Sequence, residues 1–206
     1  MPLAELTYYE RNLPHWQPEG KALFVTWRLW RSLPPEACAK SRYRPPETGS
    51  IQANVRGQAR SRHFSAGEQF VAVDRELDRA SFGPRWLADP RVAAAVVATL
   101  RRGDETLRHY RLDAFVVMPN HVHVLIEPLI EPVQALKAVK GTASRAANQI
   151  LRRAGRPFWQ DESFDHWVRN GREFARIRAY IEWNPVKAGL ARRHADWPWS
   201  GAASAR

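Results

Sequence analysis

The chain has 206 residues and a single cysteine, Cys38. One thiol excludes an internal disulfide framework and a zinc site built from paired cysteines. No apolar run approaches the roughly 18 residues that a membrane-spanning helix requires. The start, Met1-Pro2-Leu3-Ala4-Glu5-Leu6, lacks the basic head and apolar centre of a secretory leader, so a cytoplasmic protein is expected. Lysine is scarce too: Lys21, Lys40, Lys137, Lys140 and Lys187 are all there are, among 32 basic residues.

The remaining basic residues are arginines, and they outweigh the acids to a formal net charge of +11. Arginine offers a planar fork that matches phosphate and stacks on bases. Nine tryptophans add flat surfaces. Together these point to nucleic acid as partner, with a nucleoid-associated location. No basic amphipathic helix stands apart from the fold, which argues against a membrane surface. A 44% hydrophobic content over this length suits one globular domain spanning 1–206.

Along the chain, residues 1–20 read as an irregular arm, interrupted by Pro14, Pro18 and Gly20. Residues 22–30 form a strand rich in β-branched and aromatic side chains, with Phe24, Thr26 and Arg28 on one face and Val25, Trp27 and Leu29 on the other. Residues 32–66 are a basic, proline-broken insertion carrying Arg42, Arg44, Arg56, Arg60 and Arg62. That insertion is either a solvated excursion or an arm that orders on DNA.

Helices are expected over 67–80, from Asp89-Pro90 to about Gly103, and from Pro132 to before Gly155. The third of these has Lys137, Lys140 and Arg145 on its polar side. Strands are expected over 107–118, 121–127 and 164–169. A last helix runs from Arg172 to Asn184, closed by Pro185, and a tail from about 191 packs Trp197 and Trp199 back on the body. This alternation predicts an α+β fold, an antiparallel sheet with helices packed on it.

The feature richest in chemistry is His121-Val122-His123, just after the Pro119-Asn120 break of an apolar hairpin. Alternate strand residues share a face, so the two imidazoles stand side by side and can hold one divalent metal. Two ordinary half-buried histidines would read the same way. Tyr180 and Asn184, four apart, share a face of the last helix. They read either as a helix tyrosine with a helix terminator, or as a nucleophile with a hard amide ligand. With the His pair, the second reading gives a His-His-Asn set that suits Mg²⁺ or Mn²⁺.

Three stretches carry a family resemblance: Phe24-Val25-Thr26-Trp27-Arg28-Leu29; Val117-Met118-Pro119-Asn120-His121-Val122-His123-Val124-Leu125-Ile126; and Tyr180-Ile181-Glu182-Trp183-Asn184-Pro185-Val186-Lys187-Ala188-Gly189-Leu190. They resemble the IS200-like single-tyrosine transposases, and most of all the REP-associated branch. Asn12-Leu13-Pro14-His15-Trp16 and Trp197-Pro198-Trp199-Ser200 fit that branch as well.

The resemblance implies a ferredoxin-like antiparallel sheet with the catalytic tyrosine on a C-terminal helix. It implies Tyr180 as nucleophile and His121, His123 and Asn184 as ligands of Mg²⁺ or Mn²⁺. The implied activity is nicking and strand transfer of single-stranded DNA at palindromic hairpins through a 5′-phosphotyrosine link. Lys137, Lys140, Arg145, Arg42, Arg44 and Arg11 are the expected DNA contacts. A monomer is expected, with a dimer as the alternative. A hairpin-binding protein without cleavage and a water-using metal nuclease are the rival readings.

Overall fold

The computed structural model describes residues 21–35, 37 and 70–201 in full, together with the backbone of 6–10, 14–18, 66–69 and 202. Arg11, Arg42 and Arg44 lie outside these described residues, as does most of the 32–66 insertion.

The described elements are β1 (Leu6–Glu10), β2 (Pro14–Pro18), β3 (Leu23–Leu29), α1 (Ala66–Arg79), α2 (Pro90–Glu105), β4 (Tyr110–Val117), β5 (His121–Pro128), α3 (Pro132–Ile150), β6 (Trp159–Trp167), α4 (Gly171–Lys187) and β7 (Ser200–Ala202). Five strands form one antiparallel sheet in the order β6-β3-β5-β4-β7. Counting β3, β4, β5 and β6 as first to fourth gives 4-1-3-2, the order of a ferredoxin-like βαββαβ unit. The expected α+β class is therefore what the chain adopts, and β7 extends the sheet beside β4.

Strand alternation divides the molecule into two layers of core. Leu23, Val25, Trp27 and Leu29 of β3 and Val122, Val124 and Ile126 of β5 point to one face, where α2 supplies Val92, Val96 and Leu100 and α3 supplies Ala135, Val139 and Ala143. Phe24, Leu125, Val116 and Met118 point to the other, against Ile177 and Ile181 of α4 and Phe70 of α1. His121 and His123 share the parity of Leu125, so register alone sends both imidazoles to the α1/α4 side.

Local chemistry sets the helix starts as expected. Asp89 caps α2 by accepting the Arg91 N–H at 2.9 Å, with Pro90 in the first turn. Asn170 caps α4 by accepting the Glu173 N–H at 2.9 Å. Two expectations change. The described part of the N-terminal arm is an antiparallel strand pair, Leu6 facing Pro18 and Glu10 facing Pro14, with Pro14 and Pro18 at the strand ends where a missing N–H is tolerated.

Also, α4 runs through Pro185 to Lys187. Proline forfeits only one helical bond, and the ladder resumes beyond it: Ala188 N–H donates to Asn184 at 2.9 Å and Leu190 N–H to Pro185 at 2.8 Å. The extra turn matters, because it carries Lys187 back over the site. The C-terminal tail packs as expected, the Trp197 indole donating to the Val117 carbonyl at 3.0 Å.

Candidate metal and tyrosine site

His121 and His123 are wholly buried, and their Nε2 atoms face each other at 3.0 Å. Each ring is held from behind. Asn120 Oδ1 takes the Nδ1 side of His121 at 2.7 Å, which makes Nδ1 the donor and leaves the Nε2 lone pair pointing into the site. Thr26, directly across the ladder from His123, engages His123 Nδ1 at 2.6 Å. Phe24 stacks on the His123 ring at 5.7 Å between centroids. Holding the far nitrogen orients the near one as a ligand. Burial, followed by the neighbouring His123, lowers the His121 pKa to about 3. His121 is therefore neutral at physiological pH, the state in which an imidazole can bind a metal.

α1 brings in two acids that the sequence analysis did not assign to the site. Asp74 Oδ1 lies 3.3 Å from His123 Nε2, and Asp78 Oδ1 lies 3.8 Å from His121 Nε2. The two carboxylates are one helical turn apart, so each faces one imidazole. Asp74, His121 and His123 each offer a ligand atom, and those atoms lie within 4.8 Å of one another. The Oδ1 atoms of Asp74, Asp78 and Asn184 are buried and accept no hydrogen bond. Three orphaned oxygens around two converging imidazole nitrogens are costly unless a cation gathers them, so the donor set fits a divalent metal. Asn184 stands at the expected place, its amide nitrogen 3.5 Å from His123 Nε2; turning the amide over presents Oδ1 instead.

Tyr180 enters from α4. Its hydroxyl donates to Asp74 Oδ2, and its ring packs against His123 at 5.6 Å and edge-on to Phe24 at 6.2 Å. Burial first, and then the Asp74 charge and hydrogen bond, push its pKa far above that of a free phenol. Asp74 moves the other way: burial raises it, but His123, His121 and the Tyr180 hydroxyl outweigh burial and hold it ionised. Burial and the Asp74 charge raise Asp78. Lys187 spans both acids, 3.1 Å from Asp78 Oδ2 and 3.7 Å from Asp74 Oδ2. Its ammonium lies 5.1 Å from the Tyr180 ring centre.

The acids had a readable signal. Phe70, Asp74 and Leu77 fall at offsets of four and seven, so Asp74 interrupts the apolar stripe of α1. The expected basic contacts lie elsewhere. Lys137, Lys140 and Arg145 sit on α3, across the sheet from the His pair. Lys137 and Arg145 are exposed there. Lys140 is tied to β6 through the carbonyls of Gln160 and Asp161, both at 3.0 Å, and Ser163 Oγ at 3.3 Å.

The fold is an α+β protein whose ferredoxin-like sheet presents paired imidazoles and a carboxylate, a group able to hold a metal, to a helix-borne tyrosine. Within it the family resemblance is borne out: residues 97–184, from α2 through Asn184, match the family described as "Transposase IS200 like".

A REP-associated tyrosine transposase of Escherichia coli strain K12 is 28% identical over 96 residues, covering 45% of this chain and 54% of that protein. A putative REP-associated tyrosine transposase of Haemophilus influenzae is 28% identical over 111 residues, covering 47% of this chain and 62% of its own length. The chain thus spans between half and two thirds of these relatives. A solved structure of a REP-associated tyrosine transposase bound to a REP hairpin overlays with a TM-score of 0.48 at 18% identity, over 94% of this chain and 81% of that one. Among the described residues no helix is long and apolar enough to cross a membrane.

Proposed function

We propose that the chain nicks and rejoins single-stranded DNA at REP-type palindromic hairpins, with Tyr180 as nucleophile and a divalent cation, Mg²⁺ or Mn²⁺, held by His121, His123, Asn184 and Asp74. The observation that carries this reading is the double engagement of Asp74, with Oδ1 toward His123 and Oδ2 accepting from Tyr180. The names borne by the sequence relatives, REP-associated tyrosine transposases, support the choice of REP-type DNA.

When bound, the cation supplies positive charge to a phosphate oxygen and offsets the Asp74 charge that disfavours a phenolate. Every other part is supplied by the protein. The Asp74 Oδ2 hydrogen bond aims the Tyr180 oxygen, which attacks phosphorus in line as its proton passes to solvent. The bond from phosphorus to the 3′-oxygen breaks, and that oxygen leaves as a hydroxyl with a proton from solvent. One ester replaces another, so a second 3′-hydroxyl can reverse the step and join strands without ATP. Phe24 and the buried faces of both imidazoles keep water from the forming bond. Tyr180 packs on His123 of its own chain, which supports action by a monomer. Lys137 and Arg145 would grip backbone phosphates farther from the reaction, and Arg11, Arg42 and Arg44 are proposed as further phosphate contacts.

The test incubates the protein and Mn²⁺ with a labelled pool of DNA hairpins whose single-stranded flanks are randomised, followed by denaturing electrophoresis. A denaturation-resistant adduct that disappears in Tyr180→Phe is expected. An adduct that persists in Tyr180→Phe overturns the nucleophile. Cleavage without adduct means a water-using nuclease; binding with neither means a hairpin-binding protein; no binding to the pool overturns the reading altogether.

A further inference from the structure

The solvent side of α4 remains unused by the chemistry above. Its exposed positions are Gly171, Arg172, Ala175, Arg176, Ala179, Trp183 and Lys187. Arg172, Arg176, Ala179, Trp183 and Lys187 follow one another at offsets of four, three, four and four, so they form a single stripe along the helix. No acid occupies an exposed position of this helix; Glu173 is buried and Glu182 half-buried. The stripe from Arg172 to Lys187 is about 22 Å long at 1.5 Å per residue.

Trp183 is the odd member. It is 52% exposed, more than any other large hydrophobic side chain among the described residues. A ring this open to solvent, on the helix that carries Tyr180, is available to a stacking partner. Along the exposed stripe Trp183 stands between Ala179 and Lys187 with no second large exposed apolar side chain on this helix, which suits neither a core-like protein interface nor a lipid surface. The indole meets His194 at 5.2 Å between ring centres, tilted by 52°. Trp183 lies three residues beyond Tyr180 and four before Lys187, so it borders both on the helix surface. Lys187 in turn reaches back to Asp74 and Asp78.

We infer that this stripe is a track for unpaired DNA, in which Trp183 stacks on a base flanking the phosphate presented to Tyr180, while Arg172 and Arg176 hold phosphates farther along the strand. An exposed aromatic set among cations is how single strands are held without reading sequence, since every base has a face to stack and every nucleotide a charge to neutralise. The inference rests on the DNA reading above but not on cleavage. It gives the tyrosine helix two sides, one delivering the nucleophile and the other aligning the strand that approaches it.

The test uses Tyr180→Phe protein, so that no chemistry intervenes, and the single strand dT20 with one 5-iodouracil at each position in turn. Irradiation is expected to cross-link the iodouracil to Trp183, located by mass spectrometry of the digest. Trp183→Ala should weaken dT20 binding about tenfold by fluorescence anisotropy, whereas Trp183→Phe should recover most of it. Binding to the dT20·dA20 duplex should not respond to either change. Replacing Arg172 and Arg176 by alanine should lessen the salt dependence of dT20 binding by roughly 0.7 in log–log slope for each lost phosphate contact.

Wild-type affinity in Trp183→Ala, cross-links confined to other residues, or failure of dT20 to bind overturns the track. If cross-links form at Trp183 while the hairpin pool yields no adduct, the cleavage reading fails and the track stands. An adduct accompanied by an indifferent Trp183→Ala overturns the track alone.

Discussion

Asp74 and Tyr180, 106 residues apart in sequence, share a hydrogen bond at the centre of the molecule. The same carboxylate lies 3.3 Å from His123 Nε2. One side chain from α1 therefore joins the two halves of the site, the imidazole pair on the sheet and the tyrosine on α4. This gives Asp74 two roles that a substitution can separate.

Asp74→Asn keeps the shape of the side chain and removes its charge. The Tyr180 hydroxyl retains an oxygen to donate to, while the cation site loses its one ionised ligand within 3.5 Å of His123. Mn²⁺ affinity, measured by calorimetry on metal-free protein, should fall at least tenfold. Tyr180→Phe, by contrast, should bind Mn²⁺ as the wild type does. Equal affinity in Asp74→Asn and wild type would remove Asp74 from the ligand set.

How much of this was legible beforehand follows from where each signal lies in the chain. The His pair, Tyr180 and Asn184 each sit inside a strongly periodic element, so their shared faces can be read from offsets of two and four. The antiparallel α+β class follows from the alternation of strands and helices between β3 and α4, whereas the ferredoxin-like arrangement is what the family resemblance implies. Asp74 and Asp78 were not assigned because α1 reads as a charged surface helix: Arg75, Glu76 and Arg79 surround them, and such runs are ordinarily solvated. Only the tertiary fold lays α1 over the His face of the sheet. The extension of α4 beyond Pro185 was missed for a related reason. Local proline chemistry favours an end, and the burial of Asn184 and Pro185 overrides it.

Thr26 offers a test of what orients His123 toward the proposed metal. Its hydroxyl engages His123 Nδ1 at 2.6 Å from the neighbouring strand. Thr26→Val fills a similar volume but leaves the buried Nδ1 without a partner. Metal-free protein should lose about 1–3 kcal/mol of stability in urea unfolding, and Mn²⁺ affinity should fall roughly 10- to 100-fold. An unchanged affinity would mean that packing by Phe24, rather than this hydrogen bond, orients the ring.

Gly103 explains a close approach on the opposite face of the sheet. A Cβ built there meets the Tyr110 hydroxyl at 2.2 Å and its ring at 2.5 Å. Tyr110 is itself fixed, buried and donating to the Leu100 carbonyl at 2.9 Å. Alanine ordinarily favours a helix over glycine by up to about 1 kcal/mol. Here overpacking should prevail, and Gly103→Ala should destabilise by about 1–3 kcal/mol. Adding Tyr110→Leu should relieve part of that loss; equal or greater stability in Gly103→Ala alone would show that the ring yields freely.

Glu173 ties the start of α4 to the end of β6. Its carboxylate accepts from the Arg169 guanidinium at 2.7 Å and the Arg169 backbone N–H at 2.8 Å, and it meets His166 at 3.1 Å. The Arg169 hydrogen bond leads the causes that lower its pKa from 4.5 to about 2, against burial. Between these two values the unfolded chain takes up a proton that the folded one refuses, so stability falls as pH falls. The contribution is complete above about pH 4.5 and lost as the pH approaches 2. Because Arg169 is 72% exposed, solvent screens the pair, and about 1–2 kcal/mol is the expected size. Glu173→Gln cannot titrate. Its urea midpoint should lie below that of the wild type at pH 6, and the two should converge as pH is lowered from 5 toward 2. A gap that stays constant across that range would assign the stabilisation to packing of the side chain rather than to its charge.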